Sequence, residues 1–209
     1  VHTKEGDYES KMVIWAAGTI AKQIEAEGEE EYVGRGISYC AICDGSFHEK
    51  QNVVVIGGGN SAIEEALYLA KICKKVTIIT RGHHFRADPV LMEKVMRANN
   101  VDLVTHHVIT KFTGKDLLEQ VTAKDRDSDN EIVLNVRGAF IYVGFTPSST
   151  LLENFDILDE DKYIIVDRNC ETKVTGLYAA GDCIQKNIRQ IATAVADGIT
   201  CASAIVRKI

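Results

Sequence analysis

Two cysteines with two residues between them, Cys40-Ala41-Ile42-Cys43, carry the clearest chemical signal in the chain. That spacing lets two thiols close a small disulfide and lowers the pKa of one of them, so the pair can cycle between dithiol and disulfide. Half a zinc site is the competing use. Structural zinc needs four ligands, and no second close Cys or Cys/His pair occurs in the sequence. No metal site is therefore expected. Asp44 follows at once. A carboxylate there would not generate a thiolate by charge, but with a pKa raised by burial it can carry a proton to or from a neighbouring redox group. Cys73, Cys170, Cys183 and Cys201 stand singly in apolar or mixed surroundings and read as buried, reduced thiols.

A second signal lies downstream, in Gly57-Gly58-Gly59-Asn60-Ser61-Ala62. The β-branched run Val53–Ile56 precedes it and a helical pattern begins at Asn60. Gly57-x-Gly59-x-x-Ala62 in that setting is the Rossmann dinucleotide fingerprint. Gly57 permits the tight turn, Gly59 lets backbone approach a pyrophosphate, and Ala62 lets the helix pack close to the strand. The phosphates are expected on free N–H groups at the helix start, among Asn60 and Ser61. After the second strand an NAD site needs an acid for the ribose 2′-hydroxyl. This chain has Arg81 there and Arg86 five residues on, which suits a 2′-phosphate and favours NADP(H). His83 and His84, between the arginines, read as lining the phosphate-side loop or facing solvent.

These groups need elements to hold them. Lys11–Ala16 reads as a strand, and the charged stretch Glu25–Glu31 as a solvated connector. Val53–Ile56, the helix with Ala62, Ala66, Leu69 and Cys73 on one face, and Val76–Thr80 make a βαβ unit. Asp88-Pro89 predicts a helix start, with Leu91, Met92, Val95 and Met96 as its apolar face. Further strands are predicted at Val101–Val104, Leu117–Ala123, Ile132–Val136, Ala139–Val143, Tyr163–Val166 and Leu177–Ala180. A last helix is predicted from Asn187 to Val206, its buried side marked by Ile191, Ala194, Val195, Gly198, Ile199 and Ala202.

The 209 residues suffice for one large or two small domains. At 45% hydrophobic and 26% charged, the composition is that of an ordinary globular protein. The net charge of -6 argues against nucleic acid as a partner, and the apolar runs are too short to span a bilayer. One working dithiol among single cysteines suits a cytoplasmic protein. The chain opens on Val1 without a secretory pattern or an initiator Met, so it is expected to be a segment of a longer protein.

Cys40-Ala41-Ile42-Cys43-Asp44-Gly45, followed closely by Val53–Ile56 and Gly57-Gly58-Gly59-Asn60-Ser61-Ala62-Ile63-Glu64-Glu65-Ala66, resembles the core of bacterial-type thioredoxin reductases. Three more stretches match in the same order. Arg81 and Arg86 stand where that family holds the NADP 2′-phosphate, Ala179-Ala180-Gly181-Asp182 is similar to its C-terminal flavin motif, and Arg189-Gln190-Ile191 to its flavin-contacting segment. The resemblance implies an α/β fold: a Rossmann-like three-layer nucleotide-binding domain plus the C-terminal part of a second, FAD-binding domain of the same type. The expected boundaries are 1–23 for a remnant of the FAD domain, 24–138 for the NADP domain with the Cys pair, and 139–209 for the rest of the FAD domain. Hinge strands are expected within 19–38 and 136–145.

By the same resemblance, Cys43 faces the flavin, Cys40 attacks the protein disulfide, and Asp44 carries the proton. Asp182 holds the FAD ribityl region, while Gln190 and Ile191 offer backbone groups to the isoalloxazine. The cofactors are FAD and NADP, the partner is thioredoxin or a thioredoxin-like protein, and the working form is a homodimer. The sequence departs from the family at Gly82, where a second arginine is usual, and lacks the glycine-rich loop of the N-terminal FAD half. The alternatives are the NADH-dependent flavoprotein subunit of an alkyl hydroperoxide reductase, against which Arg81 argues, and a ferredoxin-dependent reductase, which would lack the nucleotide motifs. For this chain alone, a non-catalytic NADP-binding module is the third alternative.

Overall fold

Residues 1–208 are described in the computed structural model of the chain, and they form two compact units. One comprises Lys22–Gly144; the other comprises Val1–Ala21 together with residues 145–208.

The first unit is built on a five-stranded parallel sheet in the order Ile37–Ser38, Gly138–Ile141, Asn52–Ile56, Lys75–Ile79, Val101–Val104. A β-branched run suits a strand buried on both faces, and Val53–Ile56 is buried throughout. Alternate side chains go to opposite sides. Val53, Val55, Val76, Ile78 and Phe140 pack under the helices Asn60–Ala70 and Pro89–Met96. Val54, Ile56, Ile79, Ala139 and Ile141 pack against Ile109, Phe112, Leu118, Val121 and Ala123. Each fully buried Val, Leu or Ile here contributes roughly 1.5–3 kcal/mol relative to exposure.

The third layer is thus a sheet: His107–Gly114, Leu118–Asp125 and Glu131–Asn135 form an antiparallel meander. Its first strand has no counterpart in the sequence reading. The register slips where Thr122 faces Lys111 and Ala123 faces Ile109, leaving Thr110 as the extra residue. The inward phase therefore jumps from Ile109 to Phe112, and the alternation that marks a strand is broken.

Several expectations need correction. Gly138–Ile141 pairs with both Ile37–Ser38 and Asn52–Ile56, so the chain stays in this unit to Gly144 instead of leaving it at residue 138. The unit also begins at Lys22, not residue 24. The stretch Glu25–Glu31 is solvated at Glu25, Glu27, Glu30 and Glu31, as expected, but not at Glu29. It leads into the helical turn Glu29–Tyr32, and the buried Glu29 carboxylate accepts from the Ile24 and Glu25 N–H groups, at 3.0 and 2.8 Å. Met96 is exposed; Val95, Leu91 and Met92 form the packed face of their helix.

In the second unit, Val13–Trp15 pairs in parallel with Leu177–Ala179, and Thr19–Ala21 pairs antiparallel with Phe145–Pro147. Trp15, Leu152, Ile157, Ile164, Ala179, Cys183 and Ile184 make one cluster. Tyr163–Val166 is not a strand: Ile164 makes only isolated bridges, to Leu158 and Ile184. The last helix spans Ile191–Val206, four residues shorter at its start than expected, because Gln190 and Thr193 cap it reciprocally. Its buried residues are Cys201 and Ala204, whereas Ile191, Val195, Ile199 and Ala202 are exposed. All four single cysteines are buried, and burial holds the Cys73 and Cys170 thiols up at about 11.

Candidate active site: a disulfide beside a glycine turn

Cys40 and Cys43 are joined as a disulfide, their Cα atoms 5.3 Å apart. Cys40 caps the short helix Ala41–Asp44 in extended conformation, which aims its sulfur back over the first turn. Its Sγ accepts from the Cys43 N–H at 3.2 Å. Cys43 is exposed and Cys40 half-buried. The large apolar side chains Ile42 and Phe47 flank the pair, 58% and 77% exposed.

Ser38 ties Asp44 to the sulfur pair. Its hydroxyl donates to Asp44 Oδ2 at 2.6 Å and accepts from the Cys40 N–H at 3.0 Å. Beneath the helix, the Ala41 N–H donates to the Tyr142 hydroxyl at 2.7 Å. Burial holds the Tyr142 phenol well above its ordinary range, and the Glu65 and Asp44 carboxylates push the same way. Glu65 is raised by its own burial and by Glu64, with Tyr142 opposing. His48 packs edge-on against Phe140, and burial lowers its pKa against the pull of Gln51 and Asp44. Ser38, His48 and Tyr142 are not among the expected site residues, and Glu65 is expected only to suit the helix macrodipole beside Glu64. Tyr142 is the one polar residue of the apolar run Ala139–Val143, which is the available signal.

The glycine turn lies in the same unit. Gly57 has φ +151, and a Cβ there would sit 2.4 Å from the Tyr142 carbonyl oxygen and 3.0 Å from Ala62 Cβ. Both the backbone and the crowding demand glycine, and Ala62 is as large a residue as the contact admits. A Cβ at Gly58 would meet Thr80 Oγ1 at 2.4 Å. Gly59 differs: a Cβ would meet nothing within 4 Å, so protein packing does not require glycine there. That open space over an uncapped helix start fits a pyrophosphate.

Asn60 faces another partner. Its amide donates to Asp88 Oδ2 at 3.0 Å and accepts from the Asp88 N–H at 2.8 Å. Its side chain is thus engaged with protein, and Asp88 uses its carboxylate there instead of capping its own helix. Ser61 is exposed at the helix start. Arg81 and Arg86 are exposed on the loop after Lys75–Ile79, and among the described residues neither forms an ion pair. The Arg86 N–H donates to the Gly58 carbonyl at 2.6 Å. Arg126 joins from the meander, donating to the Arg81 carbonyl at 3.2 Å. It was invisible in the sequence because it lies 45 residues away.

The remaining predicted residues gather in the other unit. Gly181 has φ +84, and its N–H donates to Asp197 Oδ2 at 3.2 Å. Asp182 Oδ1 is buried without a hydrogen-bond partner, 3.5 Å from Lys186 Nζ. Lys186 meets the charge of that oxygen, and the side chain is still 34% exposed, so the carboxylate has room to take a ligand hydroxyl. Arg189 is a clamp on the protein itself: its guanidinium donates to the Asp182 and Ile184 carbonyls and lies over the Tyr163 ring, 3.9 Å from its centroid. The Gln190 N–H is taken by Thr193 Oγ1 at 3.1 Å, so it is not free for a cofactor. Ile191 is exposed.

The pattern of the pyridine nucleotide-disulphide oxidoreductase family matches residues 1–198. The chain belongs to that family. It is 40% identical over 202 residues to the thioredoxin reductase of Bacillus subtilis (strain 168), covering 95% of this chain and 63% of that one. It is 39% identical to the thioredoxin reductase of Peptoclostridium litorale, covering 95% and 65%. The crystal structure of thioredoxin reductase from Streptococcus pyogenes MGAS5005 superposes with a TM-score of 0.92 at 36% identity, over 98% of this chain and 67% of that one. The chain therefore spans a little under two thirds of the length of these curated relatives.

Proposed function

We propose that the chain is the dithiol- and dinucleotide-bearing part of an NADPH-dependent thioredoxin reductase, acting on thioredoxin or a thioredoxin-like protein. The Cys40–Cys43 disulfide in the same compact unit as the glycine turn carries the reading. Bound NADPH and FAD would supply the hydride chemistry. Gly57, Gly59 and the start of Asn60–Ala70 bind the pyrophosphate, and Arg81 and Arg86, with Arg126 behind them, receive the 2′-phosphate. Asp182 binds a ribityl hydroxyl. In the dithiol state Cys40 attacks the partner's disulfide, one partner sulfur leaves as thiolate, and Cys43 then displaces the second and restores the Cys40–Cys43 bond. Asp44, held by Ser38, takes up or returns the proton. Ile42 and Phe47 offer the apolar rim that a protein substrate needs.

A homodimer as working form and the cytoplasm as compartment accompany this reading. Among the described residues no helix is long and apolar enough to cross a membrane. The test is a trapping experiment with thioredoxin that lacks its resolving cysteine and carries the remaining one as a mixed disulfide with thionitrobenzoate, which Cys40 displaces. Cys43→Ser, with Cys40 free, should form a mixed disulfide on a non-reducing gel, and Cys40→Ser should abolish turnover while leaving flavin reduction by NADPH intact. Unchanged turnover in Cys40→Ser would reject the assignment.

A further inference from the structure

Three side chains outside the dithiol and the glycine turn converge in the Lys22–Gly144 unit. His83 comes from the arginine loop, His106 from the turn between Val101–Val104 and His107–Gly114, and Asp127 from the tip of the meander. One ligand atom from each lies within 4.8 Å of the other two. We infer that His83, His106 and Asp127 form a binding site for a divalent transition-metal ion of the zinc type.

His106 is the fixed member. Its φ is +59, its N–H donates to the Gly82 carbonyl at 2.9 Å, and its carbonyl accepts from the Arg126 N–H at 3.0 Å. The ring is 13% exposed, yet neither ring nitrogen has a hydrogen-bond partner. Asp127 Oδ2 lies only 2.9 Å from Nε2, but off the direction in which the ring could donate. A mostly buried imidazole ordinarily has a partner for at least one nitrogen. Here the nearest group is a carboxylate placed beside the nitrogen, as two ligands of one ion are placed.

His83 and Asp127 are the adjustable members. The His83 ring stacks on His106 with centroids 3.8 Å apart and planes 12° from parallel. In that stack the nitrogen lone pairs run side by side, so ligation requires the His83 ring to turn until they converge. His83 is exposed and the Asp127 side chain is 75% exposed, so both have the room. Ligand distances of about 2.0–2.2 Å and a tetrahedral arrangement leave one position for water. Two imidazoles and one carboxylate favour zinc and its neighbours over magnesium or calcium, which take oxygen ligands.

The test is calorimetric titration of the full chain with zinc chloride, the Cys40–Cys43 disulfide kept closed so that it supplies no thiolate. One ion per chain is expected. His83→Ala and His106→Asn should each weaken binding at least about 10-fold, the loss that even outer partners of a metal site produce. Asn tolerates the left-handed backbone at position 106, and matching thermal melts establish that each variant is folded. His84→Ala, one residue away, should bind as the parent does. No binding by the parent, or binding that survives either histidine substitution, overturns the site. Inorganic phosphate titrated in parallel covers the other ligand class: loss of phosphate binding in His83→Ala, with zinc inert throughout, would make this an anion site and reject the metal.

Discussion

The helices Asn60–Ala70 and Ile191–Val206 carry the same kind of apolar spacing and meet different fates. The first buries Ala62, Ile63, Ala66 and Leu69 almost completely under the parallel sheet. The second buries Cys201 and Ala204 and leaves Ile191, Val195 and Ile199 exposed by 85%, 56% and 63%. A 3.6-residue period says that a helix has an apolar side, not that a neighbour covers it. For the first helix the strands on either side of it in sequence supply the cover. For the second, the apolar side and the packed side are different stripes.

Substitutions can break or sharpen this contrast. Leu69→Ala should cost about 2–5 kcal/mol, since it opens a cavity under a closed core; a urea midpoint barely below the parent's would mean that the first helix is looser than described. Tyr142→Phe removes the acceptor of the Ala41 N–H and should cost about 1–3 kcal/mol. Its signature is faster amide exchange at Ala41, and unchanged protection there would sever Tyr142 from the dithiol segment. His48 gives a smaller, pH-dependent effect. Its folded pKa is depressed, chiefly by burial, so its contribution is present above the ordinary value and is lost as pH falls through the folded one. His48→Gln should therefore flatten the fall in melting temperature between about pH 7 and pH 5; a parallel curve would refute the burial. Least of all, Ile199→Thr should move stability by no more than about 0.5 kcal/mol, the ordinary range for exposed positions. A loss as large as that from Leu69→Ala would place Ile199 in a packed core.

What was legible in the sequence follows from how local each signal is. The cysteine pair and the strand–turn–helix at Val53–Ala62 are defined by near neighbours, and spacing alone revealed them. The strand His107–Gly114 was lost because one extra residue, Thr110, breaks its alternation. Glu29 was read as solvated because acidic neighbours surround it, yet its carboxylate gathers two backbone donors. Tyr163–Val166 has a strand's composition, but only Ile164 finds bridge partners. Arg189 and Gln190 are expected at a cofactor from their motif, and the fold adds protein partners that spacing does not show: two Arg189 donors meet carbonyls and the Gln190 N–H meets Thr193. Arg126, His106 and Asp127 reach the arginine loop only through the folded meander.

Two stitches join the glycine turn to the arginine loop: Asn60 with Asp88, and the Arg86 amide with the Gly58 carbonyl. On the proposed reading, the pyrophosphate and the 2′-phosphate of one coenzyme would meet a preformed frame, leaving little order to impose on binding. Coenzyme preference should then be open to redesign by exchanging the Arg81 and Arg86 side chains alone. Rebuilding the loop without Asp88 would slacken the grip at the pyrophosphate as well, and would weaken both coenzymes alike.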